Sequence, residues 1–436
     1  MQRKLLLGAL MLSACAGSAS EPPTAGETVA TSAQTASAGR TLTYYRDVKP
    51  IVDQKCAQCH TQGGGGHFSL TSFADVKPRA RLIEAAVESE AMPPWRASGP
   101  LDQYQGDRRL TAQQKRTILD WIAQGAQEGS AADAPRKPPA PRRGLARVDQ
   151  KLGIGTYTPK DGDDYRCFVL DWENDQTQYI TGLSIEPGDK ELVHHGIVYL
   201  VSPDRAASVR QSDERDPDLG YRCMGGPGAW LTSYEPGGFG EENPGGVGFR
   251  VRPGSLLVLQ MHYNTNYKRG TDTSHVELTL EDEVAKVGEV DLISGGRLFI
   301  PAGERDAEHR YEGRPSTFAA DGTYDFYWAD LHMHTRGTSA KMGIIRADSG
   351  REVNLLDIPA WAFEWQETYL FQKPVRLHPG DELYLECHFD NTPENQPVLN
   401  GARLPVRDVT WGERTIDEMC LGNVLSVRVP DDQVDD

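Results

Sequence analysis

From residue 146 to residue 430 the chain shows no long helical pattern. Short alternating runs (Leu192–Val201, Leu256–Tyr263, Thr323–His334 and Glu382–Asp390) are separated by Pro, Gly, Asn and Asp at strand-and-turn spacing. A period of two turns one face of each run to a core and the other to water, so this region reads as two β-sandwiches in series. The 44 glycines and 28 prolines agree with a chain of many turns. Forty-six Lys and Arg stand against 63 Asp and Glu, a net charge of −17. A surface that acidic argues against nucleic acid as a partner and against electrostatic docking on anionic lipid. No run of 18 or more apolar residues exists to span a membrane as a mature helix.

Histidines cluster in this region as His194-His195, His262 and His332-Met333-His334. A period of two puts Asp330, His332 and His334 on one face, so both imidazoles can reach one metal. Adjacent His194 and His195 point to opposite faces of a regular strand, and sharing an ion needs a bulge or a strand end there. Gln260-Met261-His262 closes the run LLVLQMH. Imidazole suits copper, zinc and iron, and a thioether favours Cu(I). His275, His309, His378 and His388 read as ordinary histidines without metal partners. His388 lies opposite Leu383, Leu385, Cys387 and Phe389 and so faces solvent.

The N-terminal part carries different chemistry. Cys56-Ala57-Gln58-Cys59-His60 is a C-x-x-C-H sequence: two thiols on one helical turn can each add to a haem vinyl group, with His60 as an axial ligand. Met92, in Met92-Pro93-Pro94-Trp95, is the candidate for the opposite haem face, and His67 is its rival. Residues 42–128 therefore resemble a small all-α cytochrome c domain. Its last helix is expected over Leu110–Gln124, with Thr111 as N-cap, Gly125 as stop, and Ile118, Trp121 and Ile122 facing the core. Residues 129–145 read as a Pro-rich linker, holding that domain beside the rest without fixing one pose.

Residues 1–15 have the layout of a secretory signal, and Leu12-Ser13-Ala14-Cys15 looks like a bacterial lipobox with Cys15 as the acylated residue. Residues 16–41 form a flexible tether. The expected location is the bacterial cell envelope, periplasmic or on the outer surface, lipid-anchored, where disulfides survive. Residues 431–436 are an acidic tail.

His194-His195, Gln260-Met261-His262-Tyr263, Leu331-His332-Met333-His334 and Thr415-Ile416-Asp417-Glu418-Met419-Cys420 follow in the same order as in the copper type II, ascorbate-dependent monooxygenases. Pro244–Arg252 (PGGVGFRVR) also resembles that family, which includes the peptidylglycine α-hydroxylating and dopamine β-monooxygenases. The resemblance implies two jelly-roll-like sandwiches, residues 146–286 and 287–430, after the cytochrome domain. It implies an electron-transfer copper on His194, His195 and His262. A second, oxygen-activating copper is implied on the catalytic residues His332, His334 and Met419, facing the first across open solvent. It further implies a Cys387–Cys420 disulfide beside Met419, leaving Cys167 and Cys223 to staple the first sandwich.

Two positions depart from the peptidylglycine enzyme. Its substrate-gripping arginine is Asp330 here, and its assisting tyrosine is Asn423. Asp330 would pair with a cationic amine or orient His332 or His334; Gln260 is a further candidate for substrate or ligand support. The expected activity is hydroxylation of a C–H bond in a small molecule or peptide with O₂. Electrons would come at least partly from the fused haem and its redox donor, with ascorbate as an additional reductant. The rival expectation is a non-catalytic electron-transfer or copper-binding lipoprotein on the same scaffold.

Overall fold

A computed structural model describes residues 40–62, 66, 68–135, 144–160, 162–223, 225–234, 240–265, 268–363, 365–399, 402–412 and 416–433. The leader with Cys15, residues 16–39 of the tether, His67, linker residues 136–143, Thr415 and residues 434–436 lie outside the described residues.

Helices α1 (Lys49–Lys55), α2 (Ala80–Glu88) and α3 (Ala112–Ala123) pack around Val48, Val52, Leu70, Val76, Ile118 and Trp121. Helix α3 begins at the expected cap. Thr111 Oγ1 accepts the Gln114 amide at 3.1 Å, and the Gln114 side chain accepts the Thr111 amide at 2.9 Å. Two donors of the open first turn are thereby satisfied. Gly125 ends the helix at φ +89°, a conformation that costs a glycine little.

Between α2 and α3 the chain leaves the helical core. Ala97 and Tyr104 are buried in the core of the C-terminal sandwich instead. The Tyr104 hydroxyl donates to Leu355 O at 2.9 Å, and the Ser98 hydroxyl donates to Asp357 Oδ2 at 2.6 Å. Gln105 N–H reaches Leu370 O at 2.8 Å and Gln372 N–H reaches Gln103 O at 3.0 Å, a short antiparallel seam. The expectation of a tethered domain without a fixed pose is thus corrected. The Trp95–Arg108 segment docks the helical region on the sandwich, because its apolar side chains find their core there.

The rest is mainly β. Its long strands are β1 (Asp163–Val169), β2 (Gln178–Glu186), β3 (Val193–Val201), β4 (Ala229–Tyr234) and β5 (Val247–Val251). They continue as β6 (Leu256–Asn264), β7 (His275–Glu281), β8 (Lys286–Ser294), β9 (Ala307–Gly313) and β10 (Thr323–His332). The last are β11 (Gly337–Ile345), β12 (Glu352–Ile358), β13 (Tyr369–Leu377), β14 (Glu382–Phe389) and β15 (Leu421–Val429).

Among the described residues, one sheet runs Tyr221–Arg222, β1, β6, β3, β4. A second runs Gln150–Gly153, β7, β2, β5, β8, β15, β10, β13, and a third runs β9, β14, β11, β12. Phe168, Val198, Leu257 and Met261 of the first pack on Ile180, Leu183, Phe249 and Val276 of the second. Met342, Leu356, Leu383 and Phe389 of the third pack on Phe326, Leu331 and Val424 at the other end of the second. The second sheet therefore serves both halves. It crosses between them where β5 and β8 pair in parallel, Val247 beside Lys286 and Phe249 beside Gly288.

One helix departs from the reading of an all-strand region. Helix α4, Pro203–Arg215, starts with proline at its first position and buries only Val209. Its polar sequence carries no apolar stripe to betray it. Among the described residues no helix is long and apolar enough to cross a membrane.

Candidate metal centres

Strand β3 enters its ladder through a bulge. Val193 pairs with Tyr263 and His195 with His262, so His194 is the extra residue. The bulge rotates His194 to the side of His195, the condition under which neighbours can share an ion. His262 is supplied by β6, the strand between β1 and β3. The ligand atoms of these three histidines all lie within 4.8 Å of one another. His195 Nδ1 stands 3.3 Å from His194 Nδ1 and 3.4 Å from His262 Nδ1. Nitrogens about 2.0 Å from one ion and evenly spread around it lie about 3.5 Å apart. Two imidazole nitrogens share at most one proton, so a cation satisfies this trio of lone pairs better than hydrogen bonds do. Burial, with His262 and His194 beside it, holds the His195 imidazolium pKa well below the usual histidine range, which keeps the ligand form. Tyr165, opposite His262 on β1, stacks on its ring.

His332 ends β10, and His334 follows it. Their rings are 5.2 Å apart and nearly perpendicular. His332 Nδ1 donates to Gln366 Oε1 at 2.6 Å, and His334 Nδ1 donates to the Asp417 carbonyl at 3.1 Å. An imidazole that gives its Nδ1 proton presents the Nε2 lone pair to a metal. Burial and the adjacent His334 push His332 down to about 3, so it stays neutral.

Asp330 pairs with Asn423 and His332 with Leu421 across β10 and β15. The ladder ends there, and Met419, two residues before Leu421, lines the same cavity as His332 and His334. The loop bearing Met419 is firmly held. Glu418 accepts the amides of His334 at 2.8 Å and Arg336 at 2.6 Å. The fully buried Arg336 donates to Ile416 O at 2.9 Å and Gln396 Oε1 at 3.0 Å. Cys420 is bonded to Cys387, as the family resemblance implied, and Cys167 to Cys223, the pair that was left.

Both sets open on one cavity of about 330 Å³, lined by His194, His195, His332, His334 and Met419 with the apolar Trp230 and Phe363. Gln260 also lines it, with its amide 3.6 Å from Cys223 Sγ, as does Asn423. Asn423 donates to Asp330 Oδ1 at 2.7 Å, and burial pushes the Asp330 carboxyl up to about 7. Asp330 Oδ2 is buried without a hydrogen-bond partner. The two imidazoles take their support from Gln366 and Asp417, not from Asp330.

Residues 300–425 match the C-terminal domain model of the copper type II ascorbate-dependent monooxygenases. The match takes in His332, His334 and Met419 of the C-terminal set. The chain is 20% identical to a tyramine β-hydroxylase of Caenorhabditis briggsae over 68% of this chain and 52% of that protein. It is 26% identical to DBH-like monooxygenase protein 1 of Gallus gallus, over 55% of this chain and 40% of that one. DBH-like monooxygenase protein 2 of Mus musculus is 25% identical, over 53% and 38%. The chain thus spans about half the length, or less, of these curated relatives. Among solved structures, an infectious bursal virus derived particle covers 65% of this chain and 70% of its own at 10% identity. Its TM-score of 0.19 carries no argument.

The copper family leaves the C-x-x-C-H segment to be judged on its own geometry. Cys56 and Cys59 are not joined in a disulfide, and burial, with Cys59 adjacent, pushes the Cys56 thiol up to about 12. His60 Nδ1 donates to Phe68 O at 3.0 Å, which leaves the lone pair on Nε2. A side chain at Gly66 would sit 2.6 Å from that Nδ1. Two unbridged thiols and an imidazole held by its far nitrogen fit a covalent haem. Met92 is 43% exposed in the loop after α2.

The remaining histidines have ordinary partners. His275 meets Glu277 at 3.3 Å, a partner the sequence reading did not foresee, and His309 is half-buried beside Gly295. His378 accepts from Arg346 at 3.0 Å, and His388 sits between Asp306 and Glu386. Sequence reasoning passed over Tyr165, Gln366, Trp230 and Glu418. Only Glu418 stood inside a quoted motif; the others sit in stretches with no spacing signal.

Proposed function

We propose that this chain is an exported, lipid-anchored copper monooxygenase. R–H, O₂, two electrons and two protons give R–OH and water. The observation that carries this reading is that two donor sets, one of three imidazoles and one of two imidazoles with a thioether, open on one cavity. Copper, when bound at these sets, supplies the one-electron and O₂ chemistry. The chain keeps His195 and His332 neutral by burial, aims His332 and His334 through Gln366 and Asp417, and walls the cavity with Trp230 and Phe363. Asn423, backed by the Asp330 carboxyl, offers a polar end that suits an amine. The likeness to a tyramine β-hydroxylase favours the same substrate class.

In this reading Cys56 and Cys59 would hold a covalent haem, and His60 and Met92 would be the side chains that bind its iron. Haem and ascorbate are the proposed sources of electrons. Lipid anchoring at Cys15 and a cell-envelope location rest on the leader sequence, and the two disulfides suit that compartment. The test is a metal count followed by O₂ uptake with candidate amines, peptides and hydrocarbons. Two coppers, one haem and substrate-dependent uptake with hydroxylated product are expected. Zinc at both sets after copper-replete expression overturns the assignment. Copper at both sets without substrate-dependent uptake makes the chain a copper or electron carrier.

A further inference from the structure

The seam between the helical region and the C-terminal sandwich ends one residue away from the support of a metal ligand. Arg108, just before α3, donates its Nε–H to Pro94 O at 3.0 Å and pairs through its guanidinium with Glu367. The guanidinium also lies 5.1 Å from the Trp95 ring centroid and 5.9 Å from that of Trp365. Glu367 is the chain neighbour of Gln366, whose Oε1 takes the His332 Nδ1 proton at 2.6 Å.

Residues 359–363 and 365–368, between β12 and β13, belong to no strand. The Trp361 amide donates to Thr338 O and the Trp365 amide to Ala362 O, and side-chain anchors add to these in deciding where Gln366 points. On one side Gln366 Nε2 donates to Phe363 O at 2.8 Å. On the other, Glu367 is only 15% exposed and its charge is matched by Arg108. Without that partner a largely buried carboxylate turns toward water, and the residue bonded to it moves as well.

We propose that Arg108 is a positioning residue for the His332/His334/Met419 site: by fixing Glu367 it fixes Gln366, and so the His332 imidazole. The helical region is then a working part of this site and not of the His194/His195/His262 site. The inference rests on the reading of both sets as copper ligands.

The test uses the full chain carrying His194→Ala and His262→Ala, so that copper loads on the C-terminal set alone. Arg108→Ala in that background is expected to change the Cu(II) electron paramagnetic resonance spectrum. It should also weaken copper binding by roughly 10- to 100-fold, the usual cost of losing a ligand's support. Arg108→Lys keeps the charge without the planar fork and should lose less. In the reciprocal background, His332→Ala with His334→Ala, Arg108→Ala should leave the spectrum and affinity of the remaining copper unchanged, which also shows that the chain still folds. An unchanged C-terminal site, or equal losses at both sites, overturns the inference. Failure of the parent to load copper on His332, His334 and Met419 overturns the ligand assignment, and does so before any Arg108 variant is measured.

Discussion

Tyr165 lies flat on His262, ring centroids 4.1 Å apart and planes 6° from parallel. The stack limits rotation of a ligand whose nitrogen must meet two others. Tyr165→Leu is expected to weaken copper at the N-terminal set by about tenfold while leaving the C-terminal set alone. Copper titration of the two single-set variants checks this.

Arg336 and Glu418 are both fully buried, 4.0 Å apart, and between them bind the chain on either side of His334 and Met419. Burial pushes the Glu418 carboxyl up to about 8, so Arg336→Met leaves it a buried acid rather than a stranded charge and acts through the lost donors to Ile416 O and Gln396 Oε1. A loss of about 1–3 kcal/mol in chemical denaturation is expected, together with weaker copper binding at the C-terminal set. Unchanged stability would show that the buried pair does not hold the loop.

The Asp330 carboxyl titrates at about 7 in the folded chain, against 3.8 for the ordinary group. Burial favours the protonated form, so between these two values the folded state holds a proton that the unfolded state has released. The Asp330 contribution to the stability of the metal-free protein is therefore expected to be full below 3.8 and to fall as pH rises toward 7. His332, held neutral down to about 3, acts in the opposite sense up to 6.5, so the Asp330 part is read as the difference between the wild type and the Asp330→Asn variant. The slope is at most about 1.4 kcal/mol per pH unit, roughly 4 kcal/mol across the window. Asp330→Asn should flatten that slope. Denaturation midpoints at pH 5 and 7 for both proteins decide the matter.

Cys420 adjoins Met419 and ties its loop to Cys387 on the opposite sheet. Cys387→Ser with Cys420→Ser should cost about 2–4 kcal/mol and loosen the C-terminal copper before the N-terminal one. Stability and stepwise copper loss against a graded chelator report both effects.

Cys56→Ser with Cys59→Ser is expected to abolish covalent haem, read from the absorption of the denatured protein. The copper count should stay at two. Loss of copper along with haem would mean that the helical region needs haem to hold its seam on the sandwich.

The donors were legible because their chemistry repeats in short spacings: H-x-H on one strand face, C-x-x-C-H on one turn, a cap residue before α3. Even the irregularity at His194 was readable as a requirement, since two adjacent histidines meet only at a bulge or a strand end, and the bulge is what forms. Gln366, Tyr165 and Arg108 were not, because each acts through a neighbour distant in sequence. Helix α4 was missed because a polar helix with one buried valine shows no periodicity. The shared sheet was missed because pairing of β5 with β8 is a tertiary choice that neither strand encodes alone.

That pairing bears on how the cavity breathes. Two lobes joined by a loose strap could swing apart and vary the gap between their metal sets freely. Here Val247–Phe249 and Lys286–Gly288 run side by side in one ladder. A rigid-body swing would have to shear backbone hydrogen bonds or twist the whole sheet. Movement into and out of the cavity therefore falls to the loops at its rim, and the distance between the two donor sets is stiff by construction.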